Sequence, residues 1–183
     1  MLKLIFYVLT IHSLNALAEP SQQEPIIEYR SIHKSMESFR FELQNLEDHP
    51  YSYDANQANI LIGKQNGVLI QTIPVVISFP QPAFDFIDLN DDGYTDLLLY
   101  VFDAGGGSNS FEDVFLYIPK LKKFVQSKSL SAKGVVSKPT KQGCANITYE
   151  RNSSGYTQDE WCFNLKTGRW KMIKSARYEV SGE

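Results

Sequence analysis

The sequence predicts an all-β fold in which consecutive antiparallel strands form meanders. From Ser38 to Gln44, the apolar residues Phe39, Phe41 and Leu43 alternate with polar ones, which is the period of a half-buried strand. An Asn-Gly pair lies between two β-rich apolar runs, and this is a strong hairpin signal. No stretch shows the 3.6-residue apolar period of a helix. Together these observations predict strands joined by tight turns.

The elements follow in order along the chain. Residues 60–62 and 68–70 flank the turn at Asn66-Gly67, so they are predicted to pair as a hairpin. Pro74 to Pro82 is predicted to be an extended connection. Leu97–Phe102 is apolar on both faces and is therefore predicted to be a central strand. Further strands are predicted at 113–118, 123–126, 144–150, 156–162 and 169–174, each pair joined by a polar or glycine-containing turn.

The domain organisation follows from length and composition. A chain of 183 residues that is 43% hydrophobic and 21% charged suits one globular domain with a real core. Lys3, a largely apolar run to Ile11 and the Ala16-Leu17-Ala18 triplet predict a secretory signal at 1–18, cleaved near Ala18. The apolar run is too short to cross a membrane. We therefore expect a tail at 19–36 that includes one short strand, a single β domain at 37–178 and a C-terminal tail at 179–183.

Charge and residue counts exclude several function classes. The formal net charge is -3, so the chain has no electrostatic footprint for nucleic acid. It contains only three histidines and two cysteines, which excludes a Cys/His zinc cage and leaves few parts for Ser-His or Cys-His catalysis. We expect a periplasmic or secreted protein with no transmembrane anchor and no enzymatic activity.

The two cysteines can be placed by register. If Cys144 lies opposite Cys162 in a hairpin, Ala145, Ile147 and Tyr149 share one face with the aromatic residues of the partner strand. The other face is then more polar, and Glu150 lies opposite Tyr156 across a loop of three to five residues. We infer a cross-strand disulfide in a non-hydrogen-bonded pair. A pair of free thiols, or a redox pair, remains the alternative.

The motif that carries chemistry is the segment DLNDDGYTD at residues 88–96. It fits the calcium-loop pattern D-x-N-x-D-G-x-x-D, in which side-chain oxygens recur at alternate positions and a glycine permits the sharp turn. A strand follows the loop and position 12 is Leu99, so this is an EF-hand-like loop in a β setting rather than an EF-hand. The alternative is an Asx-rich turn with solvated carboxylates. The predicted Ca²⁺ ligands are Asp88, Asn90, Asp92, the Tyr94 carbonyl and Asp96.

Two other loops are candidates for contact with a partner. One follows the central strand and is rich in glycine, and the other closes the cysteine hairpin. The candidate residues are Gly105, Gly106, Gly107, Ser108, Asn109, Asn152 and Tyr156.

The order of these motifs resembles a known bacterial family. The calcium loop resembles those of FG-GAP and β-propeller blade proteins. The strand that ends in Gln71-Thr72-Ile73, the glycine-rich loop and the closing Trp170–Ile173 follow in the same order, over about residues 38–174. This pattern is similar to an exported, calcium-binding, propeller-like family. It includes periplasmic immunity proteins that inhibit peptidoglycan-cleaving effectors of type IV secretion systems. The resemblance implies that the antiparallel meanders are arranged as propeller-like blades. It also implies calcium ligation by the five residues named above and a muramidase-like effector or lysozyme as partner.

Three function classes remain open. The first is a periplasmic binding protein that blocks a lysozyme-like peptidoglycan hydrolase, and the second is a secreted calcium-dependent module for adhesion or glycan binding. The third is a hydrolase that uses carboxylates such as Glu112 and Asp113, although neither residue is part of a recognisable nucleophile–base pair.

Overall fold

The structure is a computed structural model that describes residues 25–45, 56–77, 83–103 and 110–179. These residues form twelve strands and no helix, which confirms the all-β class. The strands are β1 (Ile26–Arg30), β2 (Phe39–Asn45), β3 (Asn56–Lys64), β4 (Leu69–Ile77), β5 (Phe84–Ile87), β6 (Asp96–Asp103), β7 (Ser110–Ile118), β8 (Lys123–Gln126), β9 (Val135–Ser137), β10 (Cys144–Asn152), β11 (Gly155–Asn164) and β12 (Arg169–Glu179).

The strands form three antiparallel meanders of four strands each. The first sheet has the order β1-β2-β3-β4, the middle sheet β5-β6-β7-β8 and the third sheet β12-β11-β10-β9. Every sheet therefore pairs strands that are neighbours in sequence, as the short polar turns predicted. The predicted meanders are confirmed.

The first sheet contains two of the predicted elements. Phe41 and Leu43 of β2 are buried, as the alternation of this segment predicted. The hairpin of β3 and β4 closes through Lys64, whose N–H donates to the Val68 carbonyl over 2.8 Å. The Gly67 N–H donates in turn to the Lys64 carbonyl over 3.0 Å. The predicted Asn-Gly hairpin is confirmed.

The connection predicted at Pro74–Pro82 is wrong in its first part. Residues 74–77 belong to β4, and Pro74 lies opposite Asn59 of β3. Proline has no backbone N–H to donate to a neighbouring strand. This is tolerated in β4 because β4 is an edge strand that forms hydrogen bonds with β3 alone. Residues 78–82 lie outside the described part of the chain.

The segment expected to be a tail with one short strand contains β1. This strand pairs with β2 along its whole length, from Ile26 opposite Leu43 to Arg30 opposite Phe39. Ile32, just beyond β1, is fully buried. The first core therefore includes part of the segment 19–36.

The middle sheet contains the predicted central strand. Leu97, Leu98 and Leu99 of β6 are all buried, so both faces of this strand are covered. Leu97, Leu99 and Phe115 pack with Phe41 and the isoleucines of the first sheet. The opposite face of the middle sheet packs on the third sheet, through a second core that consists of Leu89, Leu98, Val114, Leu116, Leu130, Val136, Ala145, Ile147 and Trp170. The three sheets are thus stacked, with the middle sheet covered on both sides.

The third sheet confirms the predicted register of the cysteine hairpin. Cys144 lies opposite Cys162, and the same register continues to Tyr149 opposite Thr157. The Phe163 N–H donates to the Gly143 carbonyl over 2.7 Å, which leaves the adjacent cysteine pair non-hydrogen-bonded, as predicted.

The tip of this hairpin differs from the prediction. The predicted register places Arg151 opposite Gly155, but a bulge between Tyr149 and Asn152 shifts the register and places Asn152 opposite Gly155. The turn therefore consists of Ser153 and Ser154. Gly155 has φ +153°, and a Cβ there would lie 2.1 Å from the Tyr178 carbonyl oxygen. Only glycine fits this close approach of β12.

The two cysteines form a disulfide. Their Cα atoms are 4.0 Å apart, and the described residues include no free cysteine. Cys144 is only 1% exposed, although we assigned it to the more polar face. The disulfide joins β10 to β11, the two central strands of the third sheet. It lies at the end of these strands that is close to the loop between β5 and β6.

The described residues contain no helix long and apolar enough to span a membrane. The predicted signal segment 1–18 lies outside the described part of the chain.

A half-buried carboxyl group links the middle sheet to the third. Glu112 of β7 accepts a 2.7 Å hydrogen bond from the Val136 N–H of β9. Burial raises the pKa of Glu112 to about 7, and the nearby Asp85 carboxylate adds to this effect. Its neighbour Asp113 accepts a bond from Gln126 instead, and burial also raises the pKa of Asp113. The two carboxyl groups therefore have separate partners.

The elevated pKa of Glu112 predicts a pH-dependent stability. Between its ordinary pKa and about 7, folded Glu112 keeps a proton that the unfolded chain has lost, so the free energy of unfolding falls as pH rises. We expect Glu112→Gln, which keeps an acceptor for Val136, to be more stable than the parent chain by about 1–3 kcal/mol at pH 8. The two should be equally stable near about pH 4. Urea titrations across this range measure the difference, and a parallel decline in both chains would contradict the prediction. The exposed substitution Glu37→Gln is the matched control.

Candidate calcium loop

The candidate site is the loop that joins β5 to β6. Both carboxylate oxygens of Asp88 accept backbone hydrogen bonds from the far side of the loop, from the Asp92 N–H over 3.2 Å and the Gly93 N–H over 3.0 Å. Gly93 has φ +87°, a left-handed conformation that glycine adopts without strain. The chain therefore curls around the Asp88 side chain, as the motif predicted.

Asn90 and Asp92 complete the curl. The Asn90 side-chain oxygen accepts a hydrogen bond from the Asp92 N–H, and its amide nitrogen donates to the Asp92 carboxylate, both over 3.1 Å. The other Asp92 oxygen accepts the Tyr94 N–H over 2.9 Å. Asn90 is only 3% exposed. The polar side chains at positions 1, 3 and 5 thus bond to the loop's own backbone and to each other.

Asp96, at the start of β6, is fully buried. Its two oxygens accept hydrogen bonds from the Leu89 N–H over 3.1 Å and from the Tyr117 N–H over 2.9 Å. Burial, together with the negative charges of Asp92 and Asp88, raises the pKa of Asp96 to about 7 despite these two bonds. A buried carboxyl among other carboxylates is costly when ionised, so a bound cation would relieve this cost.

Tyr94 has a second role that the motif did not reveal. Its ring stacks on His33 with centroids 4.6 Å apart, and it packs at 5.4 Å from the Tyr117 ring. The side chain of this predicted carbonyl ligand therefore anchors the loop to the first core.

The carboxylates of the loop are not gathered into a metal cage in this structure. The carboxylates of Asp88, Asp92 and Asp96 do not form a group whose ligand atoms all lie within 4.8 Å of one another. In the described part of the chain, the acidic, histidine and cysteine side chains whose ligand atoms do lie this close together are those of Cys144, Glu160 and Cys162. The two cysteine sulfurs form the disulfide and so cannot ligate as thiolates. The oxygens of the loop suit Ca²⁺ in kind, and gathering them around an ion requires side-chain rotation.

Asp91 is a functional residue of the loop that sequence reasoning missed. It has φ +55°, and its carboxylate accepts hydrogen bonds from the Lys138 ammonium and the Gly143 N–H. Lys138 also donates to the Asp88 carbonyl. The bond from Lys138 is the main reason why the pKa of Asp91 lies below its ordinary value. The one signal in the sequence for this tether was an acidic residue at position 4 of the motif, which is not a ligand position.

The loop contacts all three sheets. Asp91 joins it to the connection between β9 and β10, Asp96 joins it to Tyr117 of β7, and the Thr95 N–H donates to the Ile32 carbonyl beside β1 over 2.8 Å. A rigid loop at this place would therefore hold the three sheets against one another.

The predicted partner loops are described only in part. Gly105, Gly106, Gly107, Ser108 and Asn109 lie outside the described residues. The Asn152 side-chain oxygen accepts the Ser154 N–H over 2.9 Å, so its role is to close the hairpin turn. The Tyr156 ring stacks on the Tyr178 ring of β12 with centroids 5.1 Å apart. The structure does not bring Asn152 or Tyr156 near the calcium loop through any described contact.

Comparisons of the chain with protein-family models, curated proteins and solved structures found no match.

Proposed function

We propose that this chain is an exported binding protein whose three stacked sheets are stabilised by Ca²⁺ at the β5–β6 loop. The observation that carries the proposal is the buried Asp96 carboxyl in a loop that also presents Asp88 and Asp92 and bonds to all three sheets. The oxygens of Asp88, Asn90, Asp92 and Asp96 and the Tyr94 carbonyl would hold the ion. The ion would supply the positive charge that these carboxylates lack.

The described hydrogen bonds are compatible with ion binding. Each carboxylate oxygen has a second lone-pair direction besides the one that accepts a backbone N–H. Backbone bonds to Asp88, Asp92 and Asp96 would orient these side chains, as bonds to the ligands of metal sites commonly do.

The partner we propose is a muramidase-like peptidoglycan hydrolase, so that the chain acts as a periplasmic immunity or inhibitor protein. The resemblance of the motif order supports this partner, and the disulfide is compatible with an exported protein. A further support is the set of exposed basic side chains on β12, because glycoside hydrolases hold a pair of carboxylates in the cleft that cleaves the sugar.

The test is an inhibition assay. The purified oxidised chain with calcium, added in about tenfold excess over the hydrolase, should suppress lysis of cell-wall suspensions by a muramidase or lysozyme. The same chain in chelator should suppress it less, because its surface is then held less firmly. Full lysis by every muramidase class tested, with a chain shown to be folded and calcium-loaded, would reject the inhibitor function while leaving the calcium site intact.

One observation favours the second candidate, a calcium-dependent glycan-binding module. A cavity of about 280 Å³ on the third sheet is lined by polar side chains, which can form hydrogen bonds with the hydroxyl groups of a sugar, and by one aromatic ring. Its lining includes Asn146, Gln158, Lys174 and Tyr178. Retention of the chain on peptidoglycan resin, with unimpaired hydrolase activity, would favour this function over inhibition.

A further inference from the structure

Within the described part of the chain, the last strand of the third sheet has one edge that pairs with no other strand. β12 spans eleven residues from Arg169 to Glu179 and is the longest of the twelve strands. Among the described residues its only neighbour in the sheet is β11. All of its residues except Trp170 and Ala176 are exposed. A long exposed edge of this kind presents a row of N–H and C=O groups that can pair with another extended segment.

This edge is strongly basic in a chain of negative net charge. β12 and the turn before it carry five basic residues and one acidic residue, Glu179 at the end of the strand; the basic residues are Lys166, Arg169, Lys171, Lys174 and Arg177. Arg177 lies 3.8 Å from Glu150, and the other four take part in no ion pair within the described part of the chain. The positive charge of the edge is thus largely uncompensated there.

Two apolar side chains lie within the basic edge. Met172 is 46% exposed and Ile173 is 47% exposed. They lie at the bulge where β12 shifts its register against Glu160 and Trp161 of β11. A segment that paired with β12 would cover these two side chains, and their burial would add to the hydrogen bonds of the new ladder.

A second copy of the chain is a poor occupant for this edge. Two β12 strands brought together edge to edge would combine eight basic side chains with only two acidic ones, and like charges are unfavourable in cross-strand pairs. Lysines on an edge strand commonly oppose self-association in this way. An acidic segment would meet the opposite situation, because each of its carboxylates would lie near a Lys or Arg.

We propose that β12 is a docking edge that takes an extended acidic segment of a protein partner as a fifth strand of the third sheet. The inference rests on the proposed binding function and names the surface and the partner chemistry. Backbone pairing supplies the geometry, and Lys171 and Lys174 supply selectivity for acidic side chains.

The experiment uses the whole oxidised chain with calcium and a defined probe. The probe is a fluorescent eight-residue peptide that alternates glutamate with valine or threonine. One comparison peptide carries lysine in place of glutamate, and a second keeps the glutamates but has proline at two alternate positions, where it cannot donate to a ladder. We expect the acidic peptide to bind and the lysine peptide not to bind. The proline peptide should bind about tenfold or more weakly, and hydrogen exchange along β12 should slow only with the pairing-competent peptide.

Two charge variants complete the test. Lys171→Glu combined with Lys174→Glu should weaken binding of the acidic peptide about tenfold or more. Lys120→Glu combined with Lys128→Glu makes the same charge change at exposed positions of the β7–β8 turn and the segment after β8, and should leave binding unchanged. Both variants should keep the parent melting temperature, because surface changes of this kind are nearly neutral for folding.

Several outcomes would overturn the inference. Equal binding of the proline peptide would mean that the edge attracts charge without strand pairing. Equal loss in both charge variants would mean that the effect is not specific to β12. A dimer that the Lys171→Glu/Lys174→Glu variant abolishes would assign the edge to a second copy, and competition by soluble peptidoglycan fragments would assign it to a glycan. Each of these results is distinct from failure of the calcium titration or of the inhibition assay.

Discussion

Addition of calcium to the metal-free chain should raise its melting temperature, and Asp92→Asn should abolish this rise. Calcium modules outside cells commonly bind with dissociation constants of about 10⁻⁴–10⁻³ M, so about 10 mM ion exceeds these by 10- to 100-fold. Binding to the folded state alone then contributes about 1–3 kcal/mol. For a domain of this size the expected rise is about 3–10 °C. Differential scanning calorimetry with calcium, and then with chelator, measures it.

The Asp92→Asn variant has a second expected signature. An asparagine at this position keeps an oxygen for the Tyr94 N–H and gives up the oxygen that accepts the Asn90 amide, but it also removes one of the negative charges that raise the pKa of Asp96. Because these two effects oppose each other, the metal-free variant should be about as stable as the metal-free parent chain, while gaining nothing from calcium. A variant that loses stability without calcium and still responds to the ion would contradict the assignment of Asp92 as a ligand.

Asp91→Asn is the matched control for this experiment. It removes the same charge from the neighbouring residue, whose carboxylate bonds to Lys138 and the Gly143 N–H rather than facing the loop's interior. We expect this variant to melt at a lower temperature than the parent chain both with and without calcium, because the tether to the third sheet is weakened. The increment that calcium adds should be preserved. If Asp91→Asn also abolished the rise in melting temperature that calcium produces, the rise would depend on the total negative charge of the loop and not on ligation by Asp92.

The strands that could be predicted from sequence are those whose partners lie next to them in the chain. The alternation around Phe41 and the Asn66-Gly67 turn are local signals, and local pairing decides the strands of a meander. The register of β10 against β11 was predictable because a shift by one residue would expose Ala145 and Ile147 and bury polar neighbours.

The features that were missed depend on distant parts of the chain. β4 continues past Pro74 because β3 supplies its only ladder, and the sequence around Pro74 does not show that this strand lies at an edge. The bulge at the hairpin tip depends on the approach of the Tyr178 carbonyl to Gly155, which comes from β12. The three sheets have similar apolar faces, which could pack against one another in more than one arrangement. The local sequence pattern therefore does not predict that they stack with the middle sheet covered on both sides.

The candidate loop also combines features that the local sequence predicts with features that depend on distant residues. Its turn was predictable, because Asp88, Asn90, Asp92 and Gly93 form their hydrogen bonds within the motif. The burial of Asp96 and the tether formed by Asp91 were not, because they depend on Tyr117 and Gly143, which are 21 and 52 residues away. The tertiary contacts that make the loop a junction of the sheets are therefore visible only in the structure.

Removal of the disulfide should have the largest effect on stability of any change near the third sheet. The bridge joins residues 18 positions apart, and a loop of this size is expected to contribute about 3 kcal/mol by restricting the unfolded chain. We expect Cys144→Ala combined with Cys162→Ala to lower the free energy of unfolding by about that amount. Urea titrations of the oxidised parent and the variant measure the loss, and the melting temperature should fall by about 6–12 °C.

The chain with both cysteines reduced is the control that separates the cross-link from packing. Cys144 is buried, so alanine at this position also removes the packing contacts of the sulfur atom. Reduction breaks the cross-link but retains both sulfur atoms. The reduced parent should therefore lose most of what the double alanine variant loses. Equal stability of the oxidised and reduced chains would show that the hairpin is held by its backbone ladder and core contacts alone, and would remove the cross-link from the account of this fold.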